Sequence, residues 1–204
     1  MGYSIIQVND MLLELGEEEC RKILSQFSCP LNEDVERFLT GRSVIDFARQ
    51  DITRTYIVFA QHKRKQRIAG YFSIANKVII VNPSKLRLSN QLKKRIGKFM
   101  QHDGTMKHYY VSAPLIAQLG KNYLDDCDNL ITGDELLKMA LDRVGQALSL
   151  IGGKIVYLEC EPQQALIDFY KRHGFVEFGR RKLDADEVGL YEKSELSQML
   201  KYMN

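Results

Sequence analysis

The chain has 204 residues, 45% of them apolar and 27% charged, with four prolines and no tryptophan. That composition fits one ordinary soluble domain and excludes collagen-like, repetitive and long disordered architectures. The net charge of +3 is unevenly spread, because segments 1–51, 52–124 and 125–204 carry −5, +13 and −5.

A chain of this length buries roughly 70% of the surface its unfolded form exposes, so its core needs no disulfide staples. Cys20, Cys29, Cys127 and Cys160 form no CxxC pair and no Cys/His cluster, which predicts reduced thiols, a cytoplasmic setting and no metal. The first residues lack the basic-then-apolar form of a secretion signal, and no apolar run approaches the roughly 20 residues that span a membrane. The acid-free stretch between Asp51 and Asp103 holds twelve basic residues, a charge that attracts polyanions.

In chain order, Tyr3 to Val8 reads as a strand. Leu12, Leu13, Cys20, Ile23, Leu24 and Phe27 then fit one face of a helix that Pro30 ends. Asn32 to Gln50 predicts a second helix or a pair broken at Gly41. Thr53–Ala60 and Ile68–Val81 are rich in β-branched and aromatic residues and enclose a polar, basic stretch, which predicts a hairpin with a basic tip. Residues 84–101 carry Leu88, Leu92, Ile96, Phe99 and Met100 at helical spacing and predict an inserted basic helix. His108 to Leu119 is a strand with a bulge or open edge expected at Pro114, followed by a loop to Leu130.

Thr132-Gly133-Asp134-Glu135 has the form of a capping box, and the helix after it is marked by Leu136, Leu137, Ala140, Leu141, Val144 and Leu148 until Gly152-Gly153. Lys154–Cys160 is a strand, Pro162 suits a first helical turn, and the helix it opens ends at His173-Gly174. Phe175–Arg181 and Val188–Lys193 are the expected last strands. The final strand and the tail Leu196–Met203 offer an edge for a homodimer. The order predicts a mixed α/β chain in a single domain spanning 1–204.

The run Glu161-Pro162-Gln163-Gln164-Ala165-Leu166-Ile167-Asp168-Phe169-Tyr170-Lys171-Arg172-His173-Gly174-Phe175, preceded by the strand Ile155–Glu159, resembles the C-terminal signature of the GNAT superfamily of acyl-CoA N-acyltransferases. The element order is similar to that fold over nearly the whole chain. The resemblance implies a central, mostly antiparallel sheet whose fourth and fifth strands splay apart, with acyl-CoA pantetheine pairing with exposed backbone along Ala117–Lys121, including Leu119. It implies a transferase using acetyl-CoA and no metal.

In that family a glycine-rich loop of the form Arg/Gln-x-x-Gly-x-Gly/Ala follows the fourth strand and holds the CoA pyrophosphate at a helix start. Here Gly133 falls on its second small position, Ile131 on its first glycine and Asp128 on the Arg/Gln. Thr132, Gly133 and Asp134 would hold the pyrophosphate, with Lys121 and Asn122 compensating from the preceding segment. Tyr170 is the implied general acid toward the departing thiolate, and Gln163, Phe169 and Arg172 are implied cofactor contacts, with Lys171 a further candidate for the phosphates. Glu159 and Glu161 are alternative bases. No local signature pairs a cysteine with His62, His102, His108 or His173, and neither GxGxxG nor GxxxxGK[ST] occurs.

The resemblance thus implies acetyl transfer to a primary amine. The basic segment 52–102 suggests contact with RNA or aminoacyl-tRNA. The alternative is a GNAT-fold module without catalysis that binds acyl-CoA or nucleic acid.

Overall fold

The computed structural model describes residues 2–81, 88–103, 108–183 and 195–203. They form two compact units, Met1–Ala75 with Ala117–Arg143, and Asn76–Ile116 with Val144–Asn204.

In the first unit β1 (Tyr3–Gln7) leads directly into α1 (Val8–Leu24). The helix is bent where Gly16 sits at φ 76°, ψ 171°, a conformation that suits glycine. This break turns Leu13 outward, 86% exposed, so the single apolar face read from the spacing does not hold. The expected broken pair is α2 (Glu33–Thr40) and α3 (Ser43–Arg49), parted at Gly41 and Arg42. Asn32 caps α2 by accepting the Val35 N–H. Val8, Leu24, Leu39, Val44, Ile45 and Ile57 are buried together beneath these helices.

β2 (Arg54–His62) and β3 (Lys65–Val81) form the predicted hairpin, closed by the two residues Lys63 and Arg64. Both have positive φ, 46° and 66°. That is the pattern of a type I′ turn, which Asn-Gly adopts at least cost and lysine and arginine do not. A β-bulge follows, because Val58 faces Gly70 while the next residue, Phe59, faces Ile68, leaving Ala69 unopposed. β5 (His108–Lys121) lies beside β3, so the unit's strand order is β1-β2-β3-β5.

The bulge fixes how β3 meets the end of β5. Asn122 donates its backbone N–H to Ala69 O and its side-chain amide to Ile68 O and Gln26 O, each at 2.9 Å. Its side-chain oxygen accepts from the N–H groups of Ser28 and Leu124. Both amide donors and both oxygen lone pairs are therefore used, in a residue only 2% exposed. Beside it neither Gly70 nor Gly120 has room for a side chain. A Cβ on Gly70 would come within 2.7 Å of Gly120 O, and one on Gly120 would overlap the Val35 side chain.

In the second unit the strand order is β3-β5-β6-β8-β7, with β6 (Ile155–Cys160), β7 (Val176–Lys182) and β8 (Glu195–Tyr202), and with β4 (Gln101–Asp103) on β5. β5–β6 is the parallel pair, whereas β6–β8, β7–β8 and β4–β5 are antiparallel. The parallel register covers only Leu115 with Tyr157 and Ile116 with Leu158. Pro114 lies inside β5 without ending it, in the interval between the residues that register with β4 and those that register with β6, where its missing N–H costs no bond to either strand.

The inserted helix is shorter than its sequence pattern. α4 (Asn90–Ile96) begins after Ser89, which caps it by accepting the Leu92 N–H, and a 3-10 turn follows at Gly97–Phe99. Ile96 is fully buried, and the Arg95 guanidinium lies 3.8 Å from the Tyr202 ring centre. Residues 84–87 of the expected insertion, and the expected strand Val188–Lys193, lie outside the described residues. The segment read as a tail is β8, hydrogen-bonded to β6 on one side and β7 on the other, so it presents no open edge. α5 (Gly133–Ile151) and α6 (Gln164–Arg172) complete the helices described. All four cysteines are free and buried, and among the described residues no helix is long and apolar enough to cross a membrane.

Replacing Asn122 with alanine strands several buried backbone groups and is expected to lower unfolding free energy by about 3 kcal/mol, read as a reduced urea midpoint at unchanged slope. Gly120→Ala is expected to cost about 1–3 kcal/mol through overpacking. By contrast Gly97, whose added Cβ meets nothing within 4 Å and whose φ is −54°, should accept alanine with no loss.

Candidate active site

In the second unit the motif that carries the resemblance is a helix cap. α6 ends in a Schellman arrangement, with Gly174 at φ 83°, its N–H donated to Lys171 O at 2.9 Å, and the Phe175 N–H donated to Tyr170 O at 3.1 Å. This geometry needs glycine at position 174 and an apolar residue at 175 that meets the residue five back. The Phe175 ring does so, 5.8 Å from Tyr170, and Phe169 packs on Tyr170 at 5.0 Å. The spacing Phe-Tyr-x-x-x-Gly-Phe therefore fixes where the phenol of Tyr170 stands.

Burial pushes the Tyr170 phenol above its ordinary value, and the Cys160 thiol at the end of β6 adds to the shift. Burial likewise pushes that thiol up to about 12, with Glu177 and Glu161 adding to it. At neutral pH both groups keep their protons. Tyr170 is thus a donor.

The neighbouring carboxylates differ. Glu159 accepts from Arg181 Nε at 2.7 Å and from Gln198 Nε2 at 2.9 Å, one bond to each oxygen, so it is a structural ion pair within the β6-β8-β7 sheet. Glu161 accepts from Gln163 Nε2 at 2.8 Å. Gln163 is the N-cap of α6, which leaves Pro162 just outside the helix rather than in its first turn. Arg172 lies over the Phe169 ring at 5.2 Å. Gln163, Phe169, Tyr170 and Arg172 are therefore gathered on one helix and its cap.

The first unit holds the remaining expected residues. Leu119 and Lys121 are half-buried near the end of β5, and Lys121 Nζ lies 5.7 Å from the Tyr123 ring centre. Asn122, expected as a cofactor contact, has its whole side-chain bonding capacity taken by the backbones of Gln26, Ser28, Ile68 and Leu124. The chain then passes through a 3-10 turn at Leu124–Asn129, with Asp125 and Asp126 at φ 52° and 63°, before α5.

The capping box at α5 forms as expected. Glu135 N–H donates to Thr132 Oγ1 at 3.1 Å, and the Glu135 carboxylate accepts from the Thr132 N–H and hydroxyl, each at 2.8 Å. Those bonds hold the exposed Glu135 carboxyl below the usual carboxylate range. Tyr3 reinforces the turn by donating its hydroxyl to Leu130 O at 2.9 Å, with Glu135 3.2 Å away. The N–H groups of Thr132 and Glu135 are thereby spent within the chain. Among the described residues no cluster of three or more His, Cys, Asp or Glu side chains could hold a metal ion.

One further group of side chains belongs to no motif of the sequence. His62, Lys63, Lys65 and Arg67 from the hairpin and Asp125 and Asp126 from the loop after β5 line a cavity of about 240 Å³. The Nε2 atom of His62 is buried and has no hydrogen-bond partner.

No family model matches the chain, and no curated protein matches it. Solved structures do. AtaT complexed with acetyl-methionyl-tRNAfMet matches with a TM-score of 0.62 at 17% identity, over 97% of this chain and 94% of that one. A tyrosine-to-phenylalanine mutant of KacT matches with a TM-score of 0.61 at 15% identity, over the same shares. AtaTR bound with AcCoA matches with a TM-score of 0.56 at 17% identity, over 96% of this chain and 92% of that one. With its two-residue parallel register, its Schellman-capped C-terminal motif and these likenesses along nearly its whole length, the chain has the GNAT fold.

Proposed function

We propose that the chain is an acetyltransferase that moves the acetyl group of acetyl-CoA to a primary amine, with Tyr170 as the proton donor to the leaving sulfur. The observation that carries this reading is Tyr170 itself, half-buried against Phe169 and Phe175 and fixed by the Schellman cap of α6, in surroundings that raise its phenol's pKa. The GNAT fold supports it, as do the solved structures of similar fold that hold acetyl-CoA or acetyl-methionyl-tRNA.

In the reaction the amine nitrogen attacks the thioester carbonyl carbon, a C–N bond forms, and the C–S bond breaks with its electron pair going to sulfur. Backbone N–H groups along Ala117–Lys121 would bind the pantetheine and polarise the carbonyl. A cysteine-type thiol has an ordinary pKa of about 8.5, below the tyrosine value of about 10, so Tyr170 stabilises the thiolate chiefly by donating a hydrogen bond. The proton that makes the free thiol is balanced by the one the attacking amine loses. With Glu159 locked to Arg181 and Gln198, the amine arrives unprotonated or loses its proton to water or Glu161.

The acceptor follows from charge. The segment 52–124 carries +13, which favours an amine borne on a polyanion, and an aminoacyl-tRNA has both the phosphates and the amine. The structure of AtaT with acetyl-methionyl-tRNAfMet supports that choice. One observation favours a second reading, a binding module without catalysis: the start of α5 satisfies two of its own first-turn donors, leaving fewer for a pyrophosphate.

Thiol release from acetyl-CoA, measured with a panel of amines and aminoacyl-tRNAs, separates the two. Tyr170→Phe keeps both ring contacts and is expected to lower kcat by about 10²-fold or more with little change in KM for acetyl-CoA. An unchanged kcat would contradict the assigned role, and no turnover with any acceptor would favour the module. The phenol's folded pKa is raised, so it stays neutral below its ordinary value of about 10. Activity should accordingly show no descending limb between pH 7 and 10 that is abolished by Tyr170→Phe.

A further inference from the structure

Beyond Ile116, where its parallel register with β6 ends, β5 continues as a strand to Lys121, and its side chains go on alternating between two faces. Gln118 and Gly120 therefore share one face, and α2 lies on it. A Cβ on Gly120 would overlap the Val35 side chain, and Gln118 donates from Nε2 to Asp34 Oδ2 at 2.9 Å. The first turn of α2 is fixed from several directions. Asn32 accepts the Val35 N–H, Glu36 accepts from the Ser28 hydroxyl and the Cys29 N–H, and the buried Tyr71 hydroxyl donates to Val35 O at 2.6 Å. Asp34 thus meets Gln118 from a rigid support. Gln118 is half-buried within Ala117–Lys121, the segment whose backbone the acetyl-CoA reading uses.

The bond to Asp34 decides which way the Gln118 amide points. A carboxylate only accepts hydrogen bonds, so the amide nitrogen faces Asp34 and the amide oxygen faces away from it. Oε1 accepts no hydrogen bond from the described residues. Donation to a charged acceptor polarises the amide and makes Oε1 a stronger acceptor in its turn. Among the neighbouring side chains, Ala117 and Leu119 carry no polar atom and Lys121 carries only donors, so Gln118 is the side-chain acceptor of this segment.

We infer that Gln118 orients the acceptor amine, taking one of its N–H groups on Oε1 so that the nitrogen lone pair is turned to the thioester carbonyl. The inference rests on the acetyl-transfer reading above. A neutral primary amine has one lone pair and two N–H groups, and fixing one N–H removes most of the orientations that cannot react. A neutral oxygen suits this task better than a carboxylate, which favours the ammonium form and so leaves no lone pair to attack. Gln118 itself takes no proton. Asp34 acts through the amide and is a positioning residue.

The test measures thiol release from acetyl-CoA with the amine that the wild-type chain acetylates fastest, in wild type, Gln118→Leu and Asp34→Asn, alongside urea unfolding of each. Gln118→Leu removes the oxygen at similar size and is expected to lower kcat/KM for that amine by about tenfold or more, the worth of one hydrogen bond to a polarised oxygen, with KM for acetyl-CoA unchanged. Asp34→Asn keeps the side-chain length but lets the Gln118 amide face it either way round, so a smaller loss in the same parameter is expected. A purely structural tether would lower the urea midpoint of both variants and leave kcat/KM per folded molecule unchanged, and that result would overturn the inference. So would a rise in KM for acetyl-CoA in place of the loss for the amine, which would assign the oxygen to the pantetheine. Either result leaves the acetyl-transfer reading standing, whereas no turnover by wild type with any amine would remove both. Should Gln118→Leu fail to fold, the Asp34→Asn comparison decides alone.

Discussion

The first unit depends on a close approach of two backbones. Gly70 of β3 has no room for a Cβ against the Gly120 carbonyl of β5, and the bulge beside it leaves the Ala69 carbonyl without a partner on β2. A buried carbonyl without a donor is costly, so the chain must supply one. Asn122 does so with its backbone, while its side chain ties the end of α1's connecting segment and the loop after β5 to the same point. The direction in which the chain leaves β5 follows from this clamp. So do the course of the loop and the place where α5 begins.

What happens at that beginning constrains the chemistry. A helix N-terminus attracts anions through its dipole and its spare N–H groups, but Thr132 and Glu135 have already used two of them and brought a carboxylate to the spot. A phosphate binding there meets a weaker site than an uncapped glycine loop would provide.

Much of the fold was legible because local chemistry specified it. Asn32, Gly41 and the Thr132–Glu135 pair announce helix ends through bonds spanning three or four residues, and Gly174-Phe175 announces the Schellman cap that orients Tyr170. Where the signal depended on distant partners, reading failed. Gly16 breaks α1 although the apolar spacing runs through it. β8 reads as a tail in the sequence because its burial covers both faces, so Leu196, Ser197, Met199 and Leu200 show no alternation. Asn122 reads as a free amide in the sequence, since nothing local indicates that Gln26 and Ile68 will stand opposite it. The cavity was invisible for the same reason. Its two rims are some sixty residues apart, and basic residues in a hairpin tip carry no signal of a type I′ turn.

The central claim is that this GNAT fold is used for acetyl-CoA. Isothermal titration of the purified chain with acetyl-CoA tests it most directly. Saturable binding of one molecule per chain is expected, weakened as salt is raised because phosphates meet basic side chains. No detectable binding at millimolar acetyl-CoA would contradict it.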